Sequence, residues 1–301
     1  MDLKETLLRM CVGDVKENEP MSSHTTYKVG GKCKLYVLPE SVEKLVELIE
    51  FLKINEIKYM IMGNGSNLIF SDDFYDGVII NLRNLNKIKV DGNIVLVEAG
   101  HTLIKLSTIC ALNNLTGFEF ASGIPGNLGG AIYMNAGAYK SDMSDVVVEV
   151  TYLDENLNLV TKPCKELHFG YRTSIFKENK DYIILSAKLK FEEGNKEEIM
   201  EKINERRERR LATQPLNYPS AGSVFRNPSE YIFAGKLIED LGLKGYSIGG
   251  AKISEKHANF IINYDHATAE DIKDLIEFTK NKVKANYDIE LTVEQEFVNF
   301  K

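Results

Sequence analysis

Four glycines and a proline fall within ten residues at Ala121-Ser-Gly-Ile-Pro-Gly-Asn-Leu-Gly-Gly130. That density rules out a regular strand or an undisturbed long helix there. Ile124 and Leu128 are apolar neighbours, so the loop is expected to be partly buried. Buried backbone needs hydrogen-bond partners, and a phosphate-bearing cofactor can supply them. A second loop, Gly63-Asn-Gly-Ser-Asn67, follows the apolar run Tyr59–Met62. Its glycines permit a tight turn and close approach of a ligand, with backbone amides, Ser66 and Asn67 available to a pyrophosphate. Taken alone, this loop reads better as a plain strand–turn. Neither loop is GxGxxG, because Leu68 stands where the last glycine of the second would belong, and there is no GxxxxGK[ST]. A Rossmann site and a P-loop are therefore not supported.

Around these loops the chain alternates helix-like and strand-like stretches without a regular βαβα rhythm, which points to an α+β fold. A short helix is expected over residues 3–12, and strand-like chain from Thr25. Val42, Leu45, Val46, Leu48, Ile49 and Leu52 have helical spacing, with Ser41 as N-cap. Strands are read at Tyr59–Met62, 78–80 and 94–97, and a helix at 103–113. Alternating residues from Val146 to Phe191 suggest an antiparallel region. Polar Glu192-Glu-Gly-Asn195 is a candidate domain boundary, followed by a charged helix over 196–211. Near the end, Thr268 and Asp271 form a capping-box start. Ile272, Leu275, Ile276, Thr279 and Val283 give the helix over 270–285 one buried stripe. The last strand is placed at Tyr287–Phe297.

The net charge of −7 offers no whole-surface attraction to phosphate polymers, so nucleic acid is an unexpected partner. Arg206, Arg207, Arg209 and Arg210 interleave with Glu201, Glu205 and Glu208, which reads as i,i+4 pairing on a solvated face. Cys11, Cys33, Cys110 and Cys164 form no CxxC pair or zinc spacing, consistent with reduced, mostly buried thiols. The five histidines are scattered, and no metal site is expected. The N-terminal stretch lacks an apolar h-region, and no run approaches the roughly 20 residues of a membrane span. A soluble, cytoplasmic protein is the expectation.

Six ordered stretches resemble one known family. They are Thr25-Thr-Tyr-Lys-Val-Gly-Gly31, Gly63-Asn-Gly-Ser-Asn-Leu68, Phe120–Tyr139 with the glycine loop, Phe169-Gly-Tyr-Arg-Thr-Ser-Ile-Phe176, Gln214–Pro228, and Gly250–Asn263. The family is the UDP-N-acetylenolpyruvoylglucosamine reductases, also called UDP-N-acetylmuramate dehydrogenases or MurB. The length is similar to its shorter type, which lacks an extra substrate-closing loop.

The resemblance implies a two-lobed FAD-binding domain of the vanillyl-alcohol-oxidase (PCMH) type and a C-terminal α+β substrate domain. On this chain that division is an N-terminal helix in 1–20, an FAD domain over 21–194 (lobes about 21–85 and 86–194), and a substrate domain over 195–301. It also implies that NADPH reduces the FAD and that hydride passes to the enolpyruvyl group of a UDP-sugar, giving UDP-N-acetylmuramate for peptidoglycan. That places the chain in cell-wall biogenesis, cell shape and division. Tyr27, Gly63, Asn64, Gly65, Ser66, Asn67, Ser122, Gly123, Ile124, Gly126, Asn127, Gly129 and Gly130 are the implied cofactor contacts.

Hydride addition to an enol ether conjugated to a carboxylate builds negative charge on the neighbouring carbon and the carboxylate, so the site needs a charge stabiliser and a proton donor. Arg172 suits the first role, since a guanidinium meets a carboxylate with two parallel hydrogen bonds. Ser223, in Ala221-Gly-Ser-Val-Phe225, suits the second. For an acid, Glu290, Glu294 and Glu296 lie on one face of the expected last strand. The family's Leu-x-x-Glu-Val pattern selects Glu294 over Glu290, although Gln295 replaces the valine. Tyr171, Arg226 and Asn227 are implied substrate contacts, and His24 departs from an expected asparagine.

Two rival readings differ in class. Gly245-Tyr-Ser-Ile-Gly249 matches the GxSxG pattern of serine hydrolases, with Ser247 as nucleophile and His257, Asp265 and His266 as conceivable partners. A helical pattern precedes it where a strand is required. The other rival is a non-catalytic binding protein that keeps the FAD fold; Arg172, Ser223 and a suitable glutamate argue against it.

Overall fold

The computed structural model describes residues 2–300. The chain forms two compact units, residues 1–17, 35–63 and 77–208 in the first, and 18–34, 64–76 and 209–301 in the second. Each unit has its own hydrophobic core.

In the first unit, α1 (Leu3–Arg9) is capped by Asp2 and buries Leu7. Helix α2 (Val42–Ile54) starts at Ser41, whose side chain accepts the Lys44 amide, and buries Leu45, Leu48, Ile49 and Leu52. The expected N-cap and apolar stripe are therefore both present. Strand Tyr59–Met62 pairs in parallel with Val78–Asn81. Helix α3 (Leu103–Leu112) and short helix α4 (Leu128–Met134) follow, the latter leaving the glycine loop. A five-stranded antiparallel sheet runs in the order Leu159–Pro163, Val147–Leu153, Ile183–Lys190, Ile94–Glu98, Ile88–Asp91. This is the antiparallel region expected from alternation between 146 and 191. The turn near Glu178 contains a single helical turn, α5 (Ile175–Glu178).

Helix α6 (Lys196–Thr213) buries Ile199. Its charged face is not uniformly solvated: the Arg206 guanidinium lies 4.6 Å from the Tyr139 ring centroid, and its Nη1 is buried. Lys202 stands 4.0 Å from the buried Glu119 carboxylate. Solvated i,i+4 pairing is thus an incomplete account of this helix.

In the second unit, α7 (Ala234–Asp240) is followed by a small antiparallel sheet of Ser247–Ile248, Ala251–Ile253 and Ile261–Asn263. Helix α8 (Ala269–Tyr287) has the expected capping box and buries Ile272, Leu275, Ile276, Thr279 and Val283. It runs to Tyr287, and the following strand is only Glu296–Val298, parallel to Leu68–Phe70. The long last strand is therefore a correction: the helix takes Tyr287 and stops at a left-handed Asp288 at φ 56°, residues 289–295 make a single bridge at Val293, and strand begins at Glu296. Rather than strand, residues 25–27 form a bend and turn and 28–31 are irregular, with the strand beginning at Lys32.

Among the described residues, no helix is long and apolar enough to cross a membrane, and no three His, Cys, Asp or Glu side chains are grouped to hold a metal ion. Cys33 and Cys110 are buried and Cys164 half-buried, whereas Cys11 is exposed. Burial pushes the Cys110 thiol up to about 12.

Candidate active site

The glycine loop opens on a short 3-10 turn, Glu119–Gly123, and ends as the start of α4. Burial pushes the Glu119 carboxyl up, but hydrogen bonds from Thr116 and the Gly117 amide, with Lys202 nearby, hold it below its ordinary range. The Ser122 hydroxyl donates back to Glu119 O at 2.8 Å. Half-buried Ile124 packs on the core, and Gly126 O accepts the Leu103 amide at 3.0 Å.

Asn127 is the buried polar centre of this loop, 4% exposed. Its Nδ2 donates to Gly100 O at 2.6 Å, while Oδ1 has no partner. A Cβ on Gly63 would stand 2.7 Å from that oxygen. A larger residue at 63 would have to displace the Asn127 amide from this position. Gly129 abuts Ala99, but a Cβ on exposed Gly130 would meet nothing within 4 Å. The loop therefore presents an open backbone face beside a buried acceptor that lacks a donor. Such an acceptor costs about 1–3 kcal/mol unless something donates to it. FAD carries ribityl and ribose hydroxyls as well as phosphates, so these residues fit it.

Arg172 is also in the first unit. Gly170 and Thr173 exchange backbone hydrogen bonds, which places Arg172 near the tip of a tight turn at φ 58°. Its Nη2 donates to Gly137 O at 2.9 Å, and its guanidinium lies 5.0 Å from the ring centroid of exposed Tyr171. Asn135 Nδ2 ties down Gly170 O at 3.1 Å, and the Ser174 hydroxyl ties down Tyr133 O at 2.7 Å. A left-handed arginine held by its neighbours is a strained conformation of the kind that gathers at functional sites.

The second unit holds the other half of the expected residues. At Gly65, φ is 62° and an added Cβ would run into the His24 carbonyl. Half-buried Asn64 and Ser66 flank this glycine. Asn67 Nδ2 donates to Glu294 O at 3.1 Å, and Asn67 O accepts the Glu296 amide at 2.9 Å. His24 Nε2 lies 2.8 Å from Glu19 Oε1. The Tyr27 side chain is wholly buried, with its hydroxyl donating to Gln295 Oε1 at 3.0 Å. Burial drives that phenol far above its ordinary range, against the lowering effect of Gln295.

Ser223 and Glu294 sit on adjoining backbone segments. Phe225 forms a bridge with Val293. Glu294 donates its amide to Val224 O at 2.8 Å, and Arg226 donates to Thr292 O at 2.9 Å. On the other side Asn259 takes the place of a third strand: Oδ1 accepts the Phe225 amide at 2.9 Å, and Nδ2 donates to Phe225 O at 2.8 Å. Ser223 and Glu294 are both half-buried. Gly222, at φ 76°, forms the turn before Ser223. The Asn227 side chain accepts the Ala234 amide at 3.2 Å and so caps α7.

Glu290 is exposed and outside any strand, and of the three glutamates only Glu296 belongs to one. The alternation that grouped them does not exist, because the strand is three residues long. Gln295 and Asn259 were given no role from sequence. An amide between the apolar residues Ala258 and Phe260 is the signal that marks Asn259, whereas Gln295, between Glu294 and Glu296, carries no such mark.

The hydrolase reading fails on local structure. Ser247 lies in an edge strand paired antiparallel to Ala251–Ile253, with no strand–turn–helix elbow. The His257 ring packs on Phe260 at 4.8 Å, its Nδ1 accepts the Asn259 amide at 3.2 Å, and burial lowers its basicity.

Comparison with known proteins accords with both halves of this geometry. Residues 33–161 match the FAD binding domain family, and residues 214–298 match the C-terminal domain of UDP-N-acetylenolpyruvoylglucosamine reductase. A protein named UDP-N-acetylenolpyruvoylglucosamine reductase from Caldanaerobacter subterraneus is 48% identical over 99% of this chain and 97% of its own. The crystal structure of the reductase from Thermus caldophilus superposes with a TM-score of 0.80 at 32% identity, covering 94% of this chain and 98% of that one. Physcomitrella patens BBE-like 1 shares the fold alone, with a TM-score of 0.52 at 16% identity over 64% of this chain and 45% of its own. With its FAD-domain half and its reductase half both matched, and a relative this similar end to end, the chain belongs to the UDP-N-acetylenolpyruvoylglucosamine reductase family.

Proposed function

We propose that the chain is an FAD-dependent oxidoreductase that uses NADPH to reduce UDP-N-acetyl-3-O-(1-carboxyvinyl)-glucosamine to UDP-N-acetylmuramate. The observation that carries this reading is the full-length likeness to the reductases combined with the second-unit ladder, where Ser223 and Glu294 stand on bonded neighbouring segments. When bound, FAD would supply the redox chemistry, carrying hydride from NADPH to the methylene carbon of the enolpyruvyl group. Residues 21–194 are assigned to the FAD domain and 195–301 to the substrate domain.

The chain's own groups handle charge, orientation and the proton. Asn127, with the glycines of its loop and Gly63, holds the cofactor. Asn64, Gly65, Ser66 and Asn67 are assigned to it as well, with Tyr27 contributing through its backbone because its hydroxyl is engaged by Gln295. Arg172 meets the substrate carboxylate on which negative charge gathers, and the charge-assisted pair favours that state. Glu294 is the acid that hydrogen-bonds the same region. Ser223 delivers its hydroxyl proton to the carbon next to the carboxylate. A serine hydroxyl is a weak acid, so it gives up a proton only to a strongly basic carbon, which this addition creates. Tyr171 and Arg226 are assigned to the substrate, and Asn227 to holding the helix start beside it. The reaction makes a peptidoglycan precursor, which places the protein in cell-wall biogenesis, cell shape and division in the cytoplasm.

The test is the visible absorbance of the purified protein under anaerobic conditions. A flavin spectrum that bleaches with NADPH and returns with the enolpyruvyl UDP-sugar is expected. A protein that stays colourless after FAD is added overturns the reading.

A further inference from the structure

Gln295 lies beside Glu294 and is 3% exposed. Its two amide atoms face different partners. Nε2 is 3.1 Å from Ala221 O and 3.4 Å from both Gly222 O and Ser223 O. Oε1 accepts the Tyr27 hydroxyl at 3.0 Å. Carbonyl oxygens only accept, so the amide nitrogen must face the turn, and the oxygen is left for Tyr27. Tyr27 is 0% exposed, so it cannot turn to water for another partner.

The turn that Gln295 grips has little else on one side. Gly222 is at φ 76°, and a Cβ there would meet nothing within 4 Å. A glycine with an open face is not held by packing, so its position depends on the hydrogen bonds of its neighbours. The ladder beyond it fixes Val224, Phe225 and Arg226. Three carbonyls upstream of that ladder, those of Ala221, Gly222 and Ser223, converge on one amide nitrogen.

We infer that Gln295, braced from behind by Tyr27, is a positioning residue that fixes the Gly222–Ser223 turn and so aims the Ser223 hydroxyl for proton delivery. This rests on the reading of Ser223 as the proton donor. Gln295 touches neither substrate nor cofactor in this role; it acts through the turn. Proton transfer is steep in donor placement, so a small loosening of the turn slows that step selectively.

Stopped-flow absorbance on FAD-loaded protein separates the two half-reactions. In Gln295→Met, which keeps the shape but removes both polar atoms, flavin bleaching by NADPH is expected to stay within about 2-fold, while reoxidation by the enolpyruvyl UDP-sugar slows about 10-fold or more. The solvent deuterium effect on reoxidation rises, because proton delivery becomes more rate-limiting. Tyr27→Phe, which only removes the brace, is expected to slow the same step about 3-fold. A purely structural role lowers the flavin-loaded fraction but leaves the ratio of the two rates per bound flavin unchanged; that result overturns the inference. Should Gln295→Met lose its flavin, the Tyr27→Phe ratio decides in the same way. Ser223→Ala is the control: if it reoxidises as fast as the unaltered protein, the proton-donor reading itself fails, whereas slow Ser223→Ala with normal Gln295→Met and Tyr27→Phe refutes the positioning role alone.

Discussion

Asn259→Ala isolates the side chain that stands in for a missing strand. Asn259 is 5% exposed and Phe225 is 2% exposed. The bridge to Val293 uses Val224 O and the Arg226 amide, so the Phe225 amide and carbonyl point the other way, onto Asn259. Alanine keeps the backbone carbonyl that accepts the Val224 amide at 2.9 Å but removes both side-chain bonds to Phe225. Two buried backbone groups are left without partners. Each costs about 1–3 kcal/mol, so the loss is about 4 kcal/mol. At roughly 3 °C per kcal/mol for a unit of this size, the melting transition of the second unit falls by on the order of 10 °C. Calorimetry measures the shift, and hydrogen exchange checks its origin. The Phe225 amide is expected to lose protection while the Val224 amide keeps more of it. A fall of less than about 3 °C refutes the reasoning, since it means that water or a rearranged neighbour satisfies Phe225.

Other outcomes follow from the same geometry. Gly63→Ala drives a Cβ to 2.7 Å from Asn127 Oδ1. The resulting strain of about 1–3 kcal/mol predicts FAD binding weakened by roughly 5- to 150-fold in a fluorescence titration, and an unchanged affinity removes this contact from the cradle. Ser223→Ala is expected to leave flavin bleaching by NADPH intact and to slow reoxidation by the UDP-sugar by about 100-fold or more. Asp271 gives a pH prediction: burial raises its carboxyl, but bonds from the Thr268 and Gly250 amides and the Thr268 hydroxyl outweigh it and hold the group below its ordinary range. Its contribution is fully present above the unfolded value of about 3.9 and is lost as pH falls through the lower folded value. Asp271→Asn should therefore show a shallower loss of stability between neutral pH and strong acid, and an unaltered acid limb would count against it.

Much of the fold was legible because it rests on local signals. Ser41 and Thr268 cap helices where an N-cap side chain precedes an apolar stripe, and the alternating segments between 146 and 191 are strands of one antiparallel sheet. The end of the chain was less legible. Residues 287–297 alternate well enough to read as a strand, yet α8 runs to Tyr287, Val293 makes a single bridge to Phe225, and the strand proper is only Glu296–Val298, because its partner Leu68–Phe70 is equally short. Strand length is set by the available partner, which lies some 200 residues away in sequence and leaves no local mark. Composition marked the two glycine loops, but not that Gly63 of one meets Asn127 of the other while Gly130 faces open space. Asn67, Asn227 and Asn259 show the same limit: an amide in a motif can bind a ligand or hold backbone, and only its neighbours decide.

The placement of Ser223 bears on how so weak an acid would serve in the proposed role. In the proposed reaction the strongly basic carbon supplies the driving force for proton transfer from a weakly acidic hydroxyl. What the protein can supply is aim. The turn before Ser223 is left-handed at Gly222, the ladder after it is bonded on both edges, and a buried amide braced by Tyr27 gathers the carbonyls of residues 221–223. Those bonds form when the second unit folds, so on the proposed positioning role the turn that carries the serine is set before substrate arrives and its entropy is not lost again in the reaction. Loosening the turn is then expected to lower the rate of proton delivery more than the affinity for the UDP-sugar, which makes kcat more sensitive than KM to changes at Gln295 and Tyr27.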